Sequence, residues 1–194
     1  MKKTLGLTIL LFLFILDYSY PGFSDNNSVF QNSLTQIREQ TGVPAVAAVL
    51  VINGKTFFTG VSGIRKWGSP VKSQIGDRFH LCSVTKPLTA TLTAILVSEG
   101  ILSLDMTMEQ AFPEWKNTMQ QAYRKVTIKQ LLAHISGMPY MPKTEPSDEW
   151  RNSFPDLMKR RREYARAALA DLPEATPGTK IIYGGGTIVT AAII

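Results

Sequence analysis

Cys82-Ser83-Val84-Thr85-Lys86-Pro87 stands between the aromatic-flanked segment Phe79-His80-Leu81 and a long apolar run that ends at Gly100. Two helical residues three apart share one face. If a helix begins at Ser83, the Lys86 amine hangs one turn above the serine hydroxyl. It is then placed to take the hydroxyl proton, because burial makes an amine easier to deprotonate. Pro87 suits a position near a helix start, where a missing N–H removes little. Beyond it, Leu88, Leu92, Ile95 and Leu96 recur at helical spacing among threonines and alanines, with no charge between Lys86 and Glu99. A helix that is apolar or small all round is a core helix, which predicts Lys86 at the mouth of a buried element. The Ser-x-x-Lys spacing by itself also arises by chance on solvated helices. The apolar run is what gives it weight.

The stretch Cys82 to Ala90, followed by Glu99-Gly100-Ile101-Leu102-Ser103-Leu104-Asp105, resembles the serine β-lactamase-related family, which comprises class C β-lactamases, DD-peptidases and their esterase relatives. Two further blocks match in order. Val126-Thr127-Ile128-Lys129-Gln130-Leu131-Leu132-Ala133-His134-Ile135-Ser136-Gly137-Met138-Pro139 resembles the family's helix and Ser-Gly turn. Pro177-Gly178-Thr179-Lys180-Ile181-Ile182-Tyr183-Gly184-Gly185-Gly186 resembles its Pro-Gly and Tyr-x-Asn block. The resemblance runs from about residue 34 to residue 194. It implies an α/β (α+β) fold of the β-lactamase/transpeptidase kind, an antiparallel sheet flanked by helices with a helical region beside it.

The resemblance also implies a chemistry. Ser83 would be the nucleophile, Lys86 the general base and Tyr183 a base or proton relay, with an acyl-enzyme later released by water. A phenol set between cationic or donor groups has its pKa drawn below about 10, which suits it to that relay. Read as a single residue, Tyr183 is equally an ordinary half-buried tyrosine before a glycine turn. The oxyanion would be held by the Ser83 backbone amide and by a second amide on a strand that is not in this sequence. Gly185 replaces the family's asparagine, which makes strong β-lactam hydrolysis less expected and predicts a pocket widened toward esters or D-amino-acid peptides. No cofactor or metal is implied. The expected function is an exported serine hydrolase acting on an ester, a D-amino-acid peptide or a β-lactam. The competing reading is an inactive penicillin-binding-like remnant or an envelope-interaction protein.

Met1-Lys2-Lys3 followed by the uncharged apolar run Leu5 to Leu16 reads as a secretory signal peptide, residues 1–24, with small residues at Gly22 and Ser24. The run falls short of the roughly 20 residues that span a bilayer, and an uncleaved signal anchor is the other reading. This predicts a periplasmic or secreted protein whose membrane contact is confined to that segment. The whole sequence of 194 residues carries a formal charge of +6, of which the leader holds +1. Mild basicity without a recognition motif does not argue for nucleic acid, so the expected partner is a small-molecule or peptidoglycan-like substrate. Lys159-Arg160-Arg161-Arg162 with Arg166 falls in a helical pattern from Asp156 to Leu172. It reads as a solvated face, the sharper alternative being contact with an anionic envelope surface. Cys82, the sole cysteine, excludes an internal disulfide and reads as a buried small hydrophobe.

Ser28 to Gln40 shows helical spacing of Val29, Phe30, Leu34 and Ile37. Ala45 to Ile52 and Thr56 to Val61 read as strands joined by Asn53-Gly54, the strongest short hairpin signal. In the second block, Thr127 is a plausible N-cap and Gly137 a plausible left-handed stop. His134 and Ser136 then read as residues that fix the loop by hydrogen bonds. Two strands are too few to shield a helix, and the apolar run Thr187 to Ile194 has no cap. Residues 25–194 are therefore expected to be the N-terminal part of one domain whose remaining strands lie beyond residue 194.

Overall fold

In a computed structural model of the chain, which describes residues 27–143 and 156–194, the backbone divides at His80 and Leu81 into two compact units. The leader expected at residues 1–24 lies outside the described residues.

The first unit is a helix laid on a hairpin. α1 (Asn27–Thr41) is followed by β1 (Ala45–Ile52) and β2 (Lys55–Gly63), paired antiparallel from Ala45 opposite Gly63 to Ile52 opposite Lys55. Asn53 and Gly54 both have positive φ, 50° and 72°, the left-handed pair that a tight hairpin turn requires. Leu50 faces Phe58 while Val51 faces Thr56, so Phe57 is an extra residue on β2 and the strand bulges there. A bulge re-aims side chains, and here Phe57 and Phe58 both reach Phe30 of α1, at 6.0 and 5.5 Å between ring centroids. Leu34 and Phe58 are buried. Hydrogen bonds add to the contact: Gln31 Nε2 donates to the Val61 carbonyl, and Thr35 Oγ1 and Arg38 Nε both reach Ser62 Oγ. After β2, Arg65 and Asp77 form a two-point ion pair at 2.9 and 2.8 Å that ties off the loop.

The second unit holds the larger core. A 3-10 turn, Cys82–Val84, leads into α2 (Thr85–Ser98), so Ser83 lies just before the α-helix rather than at its first residue. α3 (Met108–Ala111) and α4 (Ile128–Leu132) are short, and their N-caps Thr107 and Thr127 lie side by side in an isolated antiparallel bridge. Each cap's amide donates to the glutamine three residues on, Gln110 and Gln130, as in a capping box. α5 (Leu157–Ala170) is capped by Asp156, which accepts from the Met158 amide, and α6 (Gly186–Ile193) packs on α5, α4 and α2. Met108, Phe112, Tyr123, Ile128, Leu131, Met138, Leu169 and Val189 are among the side chains that fill the space between them. No helix among the described residues is long and apolar enough to cross a membrane.

Several expectations are corrected here. α2 is not buried all round: Leu88, Leu92 and Ile95 are 55, 46 and 48 % exposed, whereas Thr89 and Thr93 are buried. The threonines can go inside because each hydroxyl donates to the carbonyl four residues back, Thr85 and Thr89 respectively, and leaves a small methyl for the neighbour. Cys82 is exposed, not buried, and its φ of +48° marks the turn that swings the chain into Ser83. The basic run on α5 is not wholly solvated either. Arg162 pairs with Glu114 and lies over the Trp115 ring at 5.0 Å and the Phe112 ring at 5.9 Å.

Candidate active site

Ser83, Lys86 and Tyr183 meet in the second unit. Lys86 Nζ donates to Ser83 Oγ at 3.2 Å, one turn apart as the spacing predicts. Tyr183, 100 residues further along, donates from its hydroxyl to the same oxygen at 2.7 Å. The Lys86 ammonium also stands 4.5 Å from the centre of the Tyr183 ring. This cation holds the Tyr183 phenol below its usual value of 10, by hydrogen bond first, with the hydrogen bond to Ser83 as the second cause; slight burial works the other way. The constellation is open to solvent: Ser83 is exposed, Lys86 half-buried and Tyr183 46 % exposed. The predicted mouth of a buried element is instead a surface site beside the uncovered leucines of α2. The Ser83 amide belongs to the first turn of the 3-10 segment, where backbone N–H groups have no acceptor within the helix.

Tyr183 is held by the segment that follows α4. That helix closes by a Schellman motif: the His134 amide donates to Leu131 and the Ile135 amide to Gln130. The left-handed residue is His134, φ +58°, and not Gly137 as expected, although Gly137 also has positive φ in the next turn. A residue with a β-carbon takes this conformation at a cost of about 1–2 kcal/mol. The His134 carbonyl accepts from the Ile182 amide at 2.8 Å, and the imidazole lies against the Tyr183 ring at 4.8 Å with a 40° tilt. Burial, then the Lys86 charge, hold the His134 pKa below its usual 6.5, so the ring is neutral at pH 7. Ser136 behaves as expected and accepts from the Met138 amide. Tyr140 completes the surround, its exposed ring stacked 6.2 Å from that of Tyr183. Neither Tyr140 nor the ring contact of His134 is signalled by the sequence, because no period or motif relates residues 134, 140 and 183.

Gly185 does not widen a pocket. A β-carbon there would lie 2.1 Å from the Tyr164 hydroxyl and 2.8 Å from its ring carbons, so a phenol from α5 already fills that volume. Gly184 and Gly186 are closed in likewise, by the carbonyls of Pro139 and Leu131 at 2.6 and 2.7 Å. The glycine triplet is a packing device that lets α6 start against α4 and α5.

A family model described as Beta-lactamase matches residues 30–194. Protein flp of Staphylococcus aureus (strain COL) is 28% identical over 141 residues, which are 73% of this chain and 27% of that protein. Esterase EstB of Burkholderia gladioli is 33% identical over 117 residues, 59% of this chain and 28% of EstB. The crystal structure of a family VIII carboxylesterase superposes with a TM-score of 0.68 at 19% identity, covering 89% of this chain and 44% of that one. The chain thus spans about a quarter of the length of the curated relatives it matches. With the family match over residues 30–194 and the shared β-lactamase/transpeptidase-like fold, the chain belongs to the serine β-lactamase-related family of hydrolases.

Proposed function

We propose that the chain carries the nucleophile of an exported serine hydrolase that cleaves carboxylic esters through an acyl-enzyme on Ser83. The supporting observation is that one oxygen, Ser83 Oγ, lies within hydrogen-bond reach of both Tyr183 and Lys86. Tyr183, its phenol made more acidic by Lys86, takes the Ser83 proton as Oγ adds to the substrate carbonyl. The negative oxygen of the tetrahedral intermediate is met by the Ser83 amide. Collapse breaks the ester bond, and the alkoxide leaves with the proton held by Tyr183. Water, deprotonated by the same pair, then adds to the acyl group and regenerates the serine. Lys86 keeps the phenolate stable by its charge and by its hydrogen bond. Esters are the substrate class named for EstB and for the carboxylesterase. They also need no side-chain amide at Gly185 to grip them. The apolar run Leu5 to Leu16 behind Lys2-Lys3 supports export to the periplasm or beyond.

The test is labelling with a fluorophosphonate probe and release of nitrophenol from a short-chain nitrophenyl ester. Wild type is expected to label and to turn over, and Ser83→Ala to do neither. Lys86→Ala should lower the acylation rate by about a hundredfold or more, the usual scale for losing a proton-transfer partner. A silent wild type would favour the non-catalytic envelope-interaction reading, and equal labelling of Ser83→Ala would remove Ser83 from the mechanism.

A further inference from the structure

We propose that His134 is a positioning residue for Tyr183, setting the place and tilt of the phenol above Ser83 from its post at the C-terminal stop of α4. The inference rests on the role given to Tyr183 above. Four observations converge on it. The stop requires a left-handed residue, which glycine or asparagine adopts with less strain than histidine, so the turn does not explain why a ring stands there. That ring lies against Tyr183 at 4.8 Å. Its Nδ1 is buried and meets no hydrogen-bond partner among the described residues, so the imidazole is not placed for a bond through that atom. The main chain of the same residue tethers the neighbour of Tyr183, through the bond from the Ile182 amide to the His134 carbonyl. One residue thus grips the 182–183 segment twice, by backbone and by ring face. The imidazole, held neutral by burial and by the Lys86 charge, does not repel that ammonium. Tyr140, at 6.2 Å, adds a looser contact.

The proposal separates two properties that a merely structural residue would keep together. His134→Gly and His134→Asn relieve the left-handed strain and remove the ring, whereas His134→Phe keeps a ring and keeps the strain. For probe acylation of Ser83, the glycine and asparagine variants should be at least as stable as wild type. Their maximal acylation rate should nevertheless fall about ten- to a hundredfold, the scale of a small misplacement of a reacting group, with the probe concentration for half-maximal rate little changed. His134→Phe should recover most of the rate while melting earlier. If it does not fold, the other two variants decide. Acylation within twofold of wild type in the glycine and asparagine variants overturns the proposal, as does a rate that simply follows stability across the set.

A second readout needs no activity. The phenolate absorbance of Tyr183, taken as the difference from Tyr183→Phe in each background, should titrate at higher pH in His134→Gly, because the phenol drifts from Lys86. An unmoved titration overturns the proposal even where acylation cannot be followed. Failure of the Ser83 reading is seen separately, as a wild type that does not label or as a Ser83→Ala variant that does.

Discussion

The Tyr183 phenol sits 2.7 Å from the Ser83 oxygen with an ammonium 4.5 Å from its ring centre, and that neighbourhood sets its acidity. Lys86 lowers the phenol's pKa, so the acylation rate should rise with pH and level off below the value of about 10 usual for tyrosine. Tyr183→Phe should flatten that limb and lower the plateau by about 10²–10⁴. Lys86→Met should move the Tyr183 titration back toward 10. A limb that survives in Tyr183→Phe assigns the titration to another group. The sign for stability follows from the same shift. The folded chain holds the Tyr183 proton less tightly than the unfolded chain, so stability rises with pH through the window just below 10 and is lost as pH falls back through the folded value. That the Lys86 amine meets the Ser83 hydroxyl was legible in the sequence from spacing. The place of Tyr183 came only from the family resemblance, since spacing says nothing across 100 residues. His134 was read as a hydrogen-bonding loop residue, and its backbone fits that reading. The ring contact was hidden because it depends on how residue 182 returns to the end of α4.

Between elements, α6 begins in close packing against its neighbours. Gly185 has an ordinary φ of −70°, so a side chain there meets no backbone strain; what it meets is Tyr164. Gly185→Ala should therefore destabilise the protein by about 1–3 kcal/mol, the range for overpacking. It should have much less effect in a Tyr164→Leu background, with the difference measured as a coupling energy by denaturant unfolding. An equal loss in both backgrounds would place the cause elsewhere. The departure from the family's asparagine was visible in the sequence, but its meaning was not. Replacing a side chain by hydrogen reads as vacated space until the neighbour that fills it is known, and Tyr164 lies 21 positions away on another helix. α2 gives the same lesson. Its helical period was plain, yet the buried face is the threonine face, because hydroxyls satisfied within the helix leave only methyls to pack. Leu88, Leu92 and Ile95 carry the stronger pattern and point outward.

Across the chain, the two units differ in how much they bury. Among the described residues, the first has Leu34 and Phe58 as its buried apolar side chains, whereas the second gathers a continuous core from Met108 to Ala192. Local opening follows such differences. Amide hydrogens of β1 and β2 should therefore exchange faster than those of α4 and α6, as read by hydrogen-exchange mass spectrometry on the whole chain. Equal protection would show that the hairpin draws on more than its own contacts. The elements of the first unit were legible to within a few residues, because Asn53-Gly54, the continuous apolar run Ala45 to Ile52 and the helical spacing before it are local signals. The bulge at Phe57 was not, since it is decided by a partner ring on α1. Among the described residues the sheet has two members, so β1 is laced to another strand along one margin alone. Val49 and Val51 are exposed on β1. Any extended segment that arrives alongside finds a ready row of amides and carbonyls, with greasy side chains to land on. A legitimate third strand and a second molecule's ribbon would be welcomed on the same terms, so concentrated solutions should be watched for fibrils.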